Sequence, residues 1–345
     1  MTISNNKADS LDTKKTITKT SKQNKAKQEE SASTSESLDI NISSNDLGIT
    51  KKKKLTRRRT YDSNSTAFYI LATLLVILAA CFMIFSYIYS NGEFDSNLFL
   101  TGLTIGAAAQ LVDGALGMAY GVTATAVLLS KGIPPATATG SVHIAEIFTT
   151  GASGLSHWRM GNVNMKLFKA LIIPGVIGGL IGVFLITSID GDKIRPWISA
   201  YLLFMGFSIF FKAFKRTYFR SKVNKRKITP LALFGGFVDS AGGGGWGSVV
   251  TANLLGSGHE PRKTIGSVNA AEFFITIVTG STFAVIIGFN YWEIVAGLII
   301  SGMLIAPISA KILSKFPIRP LMAFVGSLII MLSSFVIYQS FFNAS

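Results

Sequence analysis

The chain has 345 residues, with 33 Lys and Arg against 18 Asp and Glu and a formal net charge of +15, yet 49% of it is hydrophobic and only 15% charged. A soluble domain carries about 25% charged residues, so this balance, with 33 Gly and a mean hydropathy of +0.44, disfavours an ordinary soluble enzyme and fits a lipid-facing chain. A single cysteine, Cys81, excludes an intrachain disulfide framework and a multi-cysteine metal site, and three histidines, His143, His157 and His259, leave little room for a metal centre, so neither metal nor cofactor is expected.

Residues 1–65 hold 14 basic and 8 acidic side chains and almost nothing long and apolar, so they cannot bury enough surface to offset the entropy of ordering and read as a disordered tail. The tail ends in a polybasic run, Lys51 to Lys54 and Arg57 to Arg59. Such a run on a soluble protein suits nucleic acid. Here it precedes the uncharged 22-residue stretch Ala67 to Ile88, long enough to span a bilayer, so the expected partner is anionic lipid on the cytoplasmic side and not nucleic acid. Residues 66–90 are therefore predicted to form one extra transmembrane helix.

From residue 98 onward the chain is mostly apolar, broken by short polar stretches and by one long basic connector, 212–227, which has six Lys or Arg between Lys215 and Arg226 and no acid. Excess Lys and Arg places that loop, assigned to 215–229, on the cytoplasmic side with the amino terminus. Shifting the chain by 126 positions aligns Val112 to Gly154 with Val238 to Gly280 without a gap, and 19 of 43 pairs are identical. The membrane part is thus two homologous halves, 98–214 and 230–342. Each offers a Gly-rich segment (98–130; 230–256) and then three spans, near 137–157, 166–189 and 195–213 in the first half and near 264–287, 292–314 and 319–342 in the second.

Parity then constrains the topology. With both the amino terminus and the 212–227 loop cytoplasmic and one span ahead of the repeats, each half crosses an odd number of times. The Gly-rich segment is then a hairpin, either re-entrant or a pair of short helices, broken near Asp113 and Asp239. Irregular backbone at membrane depth is tolerated only where protein or a watery cavity supplies its hydrogen bonds. Halves with odd crossings are inverted with respect to each other, a plan common among secondary transporters. The expected fold is an all-α polytopic membrane protein of two inverted repeats, with seven full spans, two broken hairpins and the carboxyl terminus outside.

Only four acids lie in the apolar parts of the repeats, and they form two matched pairs: Asp113 with Asp239, and Glu146 with Glu272. A carboxylate there costs several kcal/mol unless protonated, paired or hydrated, so it usually lines a pathway. For Asp113 and Asp239 proton coupling or gating is expected, beside the bland reading of a helix-capping carboxylate repeated because the fold repeats. That bland reading is closed to Glu146 and Glu272 in mid-span, for which proton coupling or gating is expected. His143 pairs with Asn269 across the repeat and reads either as a satisfied hydrogen-bonding residue or as part of a proton relay.

The run Gly242 to Gly247 satisfies a dinucleotide-binding pattern, but no strand and crossover helix frame it. Consecutive glycines at a helix break instead expose amides that can hold an anion without fixed cations, and the bland alternative is close helix packing. The expected anion site therefore comprises Gly117, Tyr120 and Gly121 from the first hairpin and Gly243, Gly244, Gly245, Trp246 and Gly247 from the second. Tyr120 and Trp246, repeat mates, form its opposite walls. A reading from another class starts at Gly151 to Gly154, a GxSG that resembles the nucleophile motif of rhomboid intramembrane proteases. It lacks a well-placed histidine, and the repeat mate of Ser153 is Thr279, as expected of a small packing position.

The segments AQLVDGALGMAYGVTATAVLLS (109–130), GNVN (161–164), IPGVIGG (173–179), GGFVDSAGGGGWGSVVT (235–251) and RKTIGSVNAAEFF (262–274) resemble the TauE/SafE family. The likeness covers about 98–342 and leaves out the tail. It implies transport of sulfite, sulfonates or related organosulfur anions across a bacterial plasma membrane. Combined with the carboxylate pairs, the expectation is a proton-coupled anion transporter working by alternating access, not an enzyme. An anion channel of the same fold and, far behind, an intramembrane serine hydrolase are the alternatives.

Overall fold

The computed structural model describes residues 94–214, 225–288, 291–313 and 318–342, with single positions between 73 and 88. Two compact units divide the chain, Met1–Ser63 and Asn64–Ser345. The first, and with it the expected tail, lies outside the described residues, as do residues 215–224 of the basic loop. The expected extra span is described only at positions such as Ile77, Cys81 and Ile84, each helical and exposed.

Among the described residues the second unit is helical throughout. In chain order the helices are α1 (Ser96–Leu116), α2 (Tyr120–Ser130), α3 (Pro135–Arg159), α4 (Met165–Ser188), α5 (Gly191–Lys212) and α6 (Lys225–Gly242). A π-helical turn, Gly247–Thr251, then runs into α7 (Ala252–Gly256), followed by α8 (Pro261–Ile287), α9 (Trp292–Leu313) and α10 (Ile318–Phe342). The starts follow local chemistry. The Asp95, Asn164 and Asp190 side chains accept from the first free amides of α1, α4 and α5, and Pro135 and Pro261 open α3 and α8, where a missing N–H costs nothing.

Four of the described helices, Met165–Ser188, Gly191–Lys212, Pro261–Ile287 and Arg319–Phe342, are long and apolar enough to cross a membrane. The surface of α4 shows how such a helix divides. Ile173, Ile177, Ile181 and Phe184 are exposed along one stripe, whereas Gly175, Gly178, Gly179 and Gly182 are buried along the other. A bilayer is as apolar as the side chains it meets, so association rests on close packing of small residues rather than on the hydrophobic effect. A Cβ on Gly178 would lie 2.0 Å from the Leu233 carbonyl oxygen of α6, and one on Gly236 would lie 2.1 Å from the Gly175 carbonyl oxygen.

The same contact recurs between α1 and α9, where a Cβ on Gly102 would sit 2.3 Å from the Ile294 carbonyl oxygen and one on Gly297 2.5 Å from that of Phe99. The first helix of each half thus packs on the fourth helix of the other, α1 on α9 and α6 on α4, while α3 packs on α8 and α5 on α10. The halves interlock reciprocally, and the Gly-rich segments are carried to the middle.

The breaks fall a few residues beyond the aspartates where they were expected. Helix α1 runs through Asp113, whose carbonyl accepts the Gly117 amide, and α6 runs through Asp239 to Gly242. Helix α6 also begins at Lys225, so the basic connector ends earlier than the predicted 229.

Candidate functional site

The two breaks differ in backbone but meet face to face. In the first, Gly117 (φ 64) and Ala119 (φ 92) turn the chain between α1 and α2. A non-glycine residue in that region stores strain of about 1–3 kcal/mol, a condition found most often at functional sites. In the second, Gly243, Gly244 and Gly245 have φ values of 77, 125 and 154. A Cβ on Gly244 would lie 2.4 Å from the Gly121 carbonyl carbon and the Val122 nitrogen, and one on Gly243 would lie 2.2 Å from Thr125 Cγ2. The tips touch through backbone, which only glycine permits.

Each aspartate holds its own break by reaching seven residues ahead. Asp239 Oδ1 accepts the Trp246 amide at 2.8 Å, and the Asp113 carboxylate accepts the Tyr120 amide. The Gly244 amide donates to the Asp239 carbonyl at 2.8 Å. The aspartates therefore do what the capping reading expects. Amides at Gly117, Tyr120, Gly244 and Trp246 are consequently engaged within the breaks, so only part of the expected amide cradle is left for an anion.

Between the tips lies a small cavity of about 20 Å³, enough for about one water. It brings together Asp113, Glu146, Asp239 and Glu272 with Gly117, Tyr120, Gly121, Gly245 and Gly247. All four carboxylates, 159 residues apart at the extremes of the sequence, share one wall system (Asp113 to Glu272). Gly243, Gly244 and Trp246 do not line it.

Trp246 corrects the picture of two aromatic walls. Its indole is fully buried, donates from Nε1 to the Val268 carbonyl at 3.2 Å, and packs with Val250, Leu254 and Ile275 in a separate apolar cluster. Tyr120 alone faces the cavity, and its hydroxyl has no hydrogen-bond partner in the protein. Glu146 Oε2, Asp239 Oδ2 and Ser248 Oγ are likewise buried without partners around the same space. Buried polar atoms are costly to leave unpaired, so their convergence marks a place built for water or a ligand.

His143 stands one layer behind. Its Nε2 lies 3.2 Å from Ser240 Oγ and 3.3 Å from Asp239 Oδ2, and its Nδ1 lies 3.0 Å from the Thr139 carbonyl. The Asn269 amide, its repeat mate, donates to Ser153 Oγ at 2.9 Å on the cavity wall. Ser153 is thus paired with an amide and not with a histidine.

Two contributors escaped the sequence reading. Tyr201 of α5 donates its hydroxyl to the Gly244 carbonyl at 3.0 Å and lies flat against the second break, where a Cβ on Gly242 would come within 2.3 Å of its ring. Lys212, at the end of α5, donates from Nζ to the Ser248 carbonyl at 3.1 Å and so brings a cation to the π-helical turn. Neither has a polar repeat partner that would have drawn attention to it. A π-helical turn leaves carbonyls out of register, which is how an outside donor can reach Ser248.

The family model of the sulfite exporter TauE/SafE matches residues 102–336. The chain belongs to the TauE/SafE family. A probable membrane transporter protein of Bacillus subtilis (strain 168), YtnM, is 40% identical over 238 residues, covering 67% of this chain and 79% of its own. A probable membrane transporter protein of a Sinorhizobium species, ORF9, is 30% identical over 87 residues, 25% of this chain and 33% of its own. No solved structure matches. The chain is accordingly a multi-pass membrane transporter of the TauE/SafE family.

Proposed function

We propose that this TauE/SafE transporter moves a small oxyanion of sulfur, of the sulfite or sulfonate class, by alternating access, with the anion held between the two broken hairpins. The carrying observation is that both breaks and all four membrane-depth carboxylates meet at one cavity. The size of that cavity supports a carrier over a channel. Its room is that of about one water, and the glycine tips close on each other, so an anion enters only if the tips part. An intramembrane hydrolase draws no support from Ser153, which lies against Asn269.

An anion beside four carboxylates needs positive charge to enter with it. Proton uptake at Glu272 supplies one such charge and couples transport to the proton gradient. Lys212 on the π-helical turn and the amino-terminal end of that turn add positive potential, a helix end contributing about 0.3–2 kcal/mol. The halves are inverted in the membrane, with the amino terminus and the 212–227 loop cytoplasmic and the carboxyl terminus outside. The reciprocal pairing of α1 with α9 and of α6 with α4 is consistent with that plan, since it relates the halves by an approximate two-fold exchange.

The test is uptake into proteoliposomes of a panel of sulfur oxyanions, with and without a pH gradient. Saturable uptake driven by the gradient is expected, and Glu272→Gln should flatten its pH dependence while the protein still folds. Conductance without stoichiometric proton movement would replace the carrier with a channel. Cysteines introduced at Ser221 and Ser345 in a Cys81→Ser background should label from opposite faces of intact cells, and labelling from one face would refute the inversion.

A further inference from the structure

Positive charge is also invited at a second place in this cavity, by a donor set that the scarcity of histidines seemed to exclude. His143 and Glu146 are three residues apart on α3 and so share one face, and Asp239 approaches them from α6. Their candidate donor atoms all lie within 4.8 Å of one another, and the three residues are buried, with 0%, 3% and 1% of their surface exposed.

The hydrogen bonding around His143 fixes what this cluster offers. The Thr139 carbonyl can only accept, so Nδ1, at 3.0 Å from it, carries a proton, while Nε2 lies 3.2 Å from Ser240 Oγ. Nε2 also faces Asp239 Oδ2 at 3.3 Å, a separation that either a proton or a metal ion shared between them accounts for. Asp239 Oδ2 and Glu146 Oε2 are both buried with no hydrogen-bond partner. Two donors on a tetrahedral ion, each about 2.0–2.1 Å from it, are about 3.3 Å apart, which matches the observed separation. One imidazole nitrogen with two carboxylates is a borderline donor set, suited to a first-row divalent ion and not to Na⁺, Mg²⁺ or Ca²⁺, which prefer oxygen alone.

We propose that His143 Nε2, Glu146 and Asp239 Oδ2 bind a divalent transition-metal ion, Zn²⁺ in the first place, whose fourth position opens to the cavity that Glu146 and Asp239 line. The ion offsets two of the four carboxylate charges. Its open position takes an oxygen of the transported anion; this last step rests on the function proposed above, whereas the metal site does not. The second half has Asn269 where the first has His143, so the site is single and breaks the repeat symmetry.

The experiment uses the full chain in detergent, without a histidine tag, stripped by chelator, in a Cys81→Ser background. Co²⁺ is titrated and read by its visible absorption, then displaced with Zn²⁺. One ion per chain is expected, with a rise in Tm. His143→Asn and Glu146→Gln should each weaken binding at least about tenfold, while His157→Ala leaves it unchanged. Absence of stoichiometric metal on the parent chain, or equal binding by His143→Asn, overturns the site, and the Tm shift of the parent serves the same purpose if a variant fails to fold. Sulfite added to the Co²⁺ form should alter the spectrum. An unaltered spectrum overturns the shared site and leaves the metal titration to stand on its own. Metal binding without transport of any sulfur oxyanion would retire the transport reading, and transport by a metal-free chain would overturn the metal's contact with the anion while leaving the metal site to the titration.

Discussion

The two broken hairpins descend from one sequence pattern and have diverged in how each is held. The first turns on Gly117 and a strained Ala119 and leaves Tyr120 facing the cavity. The second turns on three glycines, continues into a π-helical turn, buries Trp246 and is clamped from outside by Tyr201 and Lys212. Both share the aspartate that reaches seven residues ahead to an amide. Duplication thus preserved the backbone device, which the fold needs twice, and released the side chains around it. Both copies line the cavity, the first with Tyr120 and the second with Gly245, Gly247 and Ser248, while Tyr201 and Lys212 anchor the second.

The comparison breaks most completely at the point where the tips touch. Gly244→Val places a Cβ and two methyls against the Gly121 backbone, with overpacking of about 1–3 kcal/mol added to backbone strain of about 1–3 kcal/mol. Uptake should fall to background in proteoliposomes, whereas Gly132→Ala, whose Cβ would meet nothing within 4 Å, should transport normally. Normal uptake by Gly244→Val would mean that the tips are not the working surface.

The repeat mates Tyr120 and Trp246 should separate stability from transport. Trp246→Ala empties a fully buried position and should lower stability by about 3–5 kcal/mol in denaturant or thermal unfolding. Tyr120→Phe removes a hydroxyl with no partner in the protein, so unfolding should be unchanged while the KM for the anion rises. A stability loss in Tyr120→Phe would contradict the division of labour.

The shared aspartates give a smaller effect and test whether the device is equivalent in both halves. Asp239→Ala strands a buried Trp246 amide and should cost about 1–3 kcal/mol, Asp113→Ala a similar amount at Tyr120, and the Asn variants less, since an amide oxygen still accepts. Equal losses for Ala and Asn would show that charge and not capping carries the role. The mildest change is Tyr201→Phe, which removes one hydrogen bond to Gly244 and should cost about 0.5–1.5 kcal/mol. It has no counterpart to lose in the first half.

The membrane class, the duplication, the helical character and the four carboxylates were all legible in the sequence, because each depends on residue type and spacing along the chain. Low charge and long apolar runs speak for lipid, a fixed offset of 126 reveals the repeat, and two acids recurring in apolar spans mark a pathway. The family resemblance was legible in ordered motifs between residues 109 and 274, and the family model matches residues 102–336. Tertiary structure alone decided that all four carboxylates share one cavity, that Trp246 turns away from it, that His143 faces Asp239, and that Tyr201 and Lys212 reach the second break. Those are contacts among α1, α3, α5, α6, α8 and the second break, set by how closely glycine-lined helices approach, and no periodicity within one helix encodes which neighbour it will meet. His143 was open in the sequence between a satisfied hydrogen-bonding residue and part of a proton relay, because its repeat mate is Asn269, and only the approach of α3 to α6 brings it to Asp239.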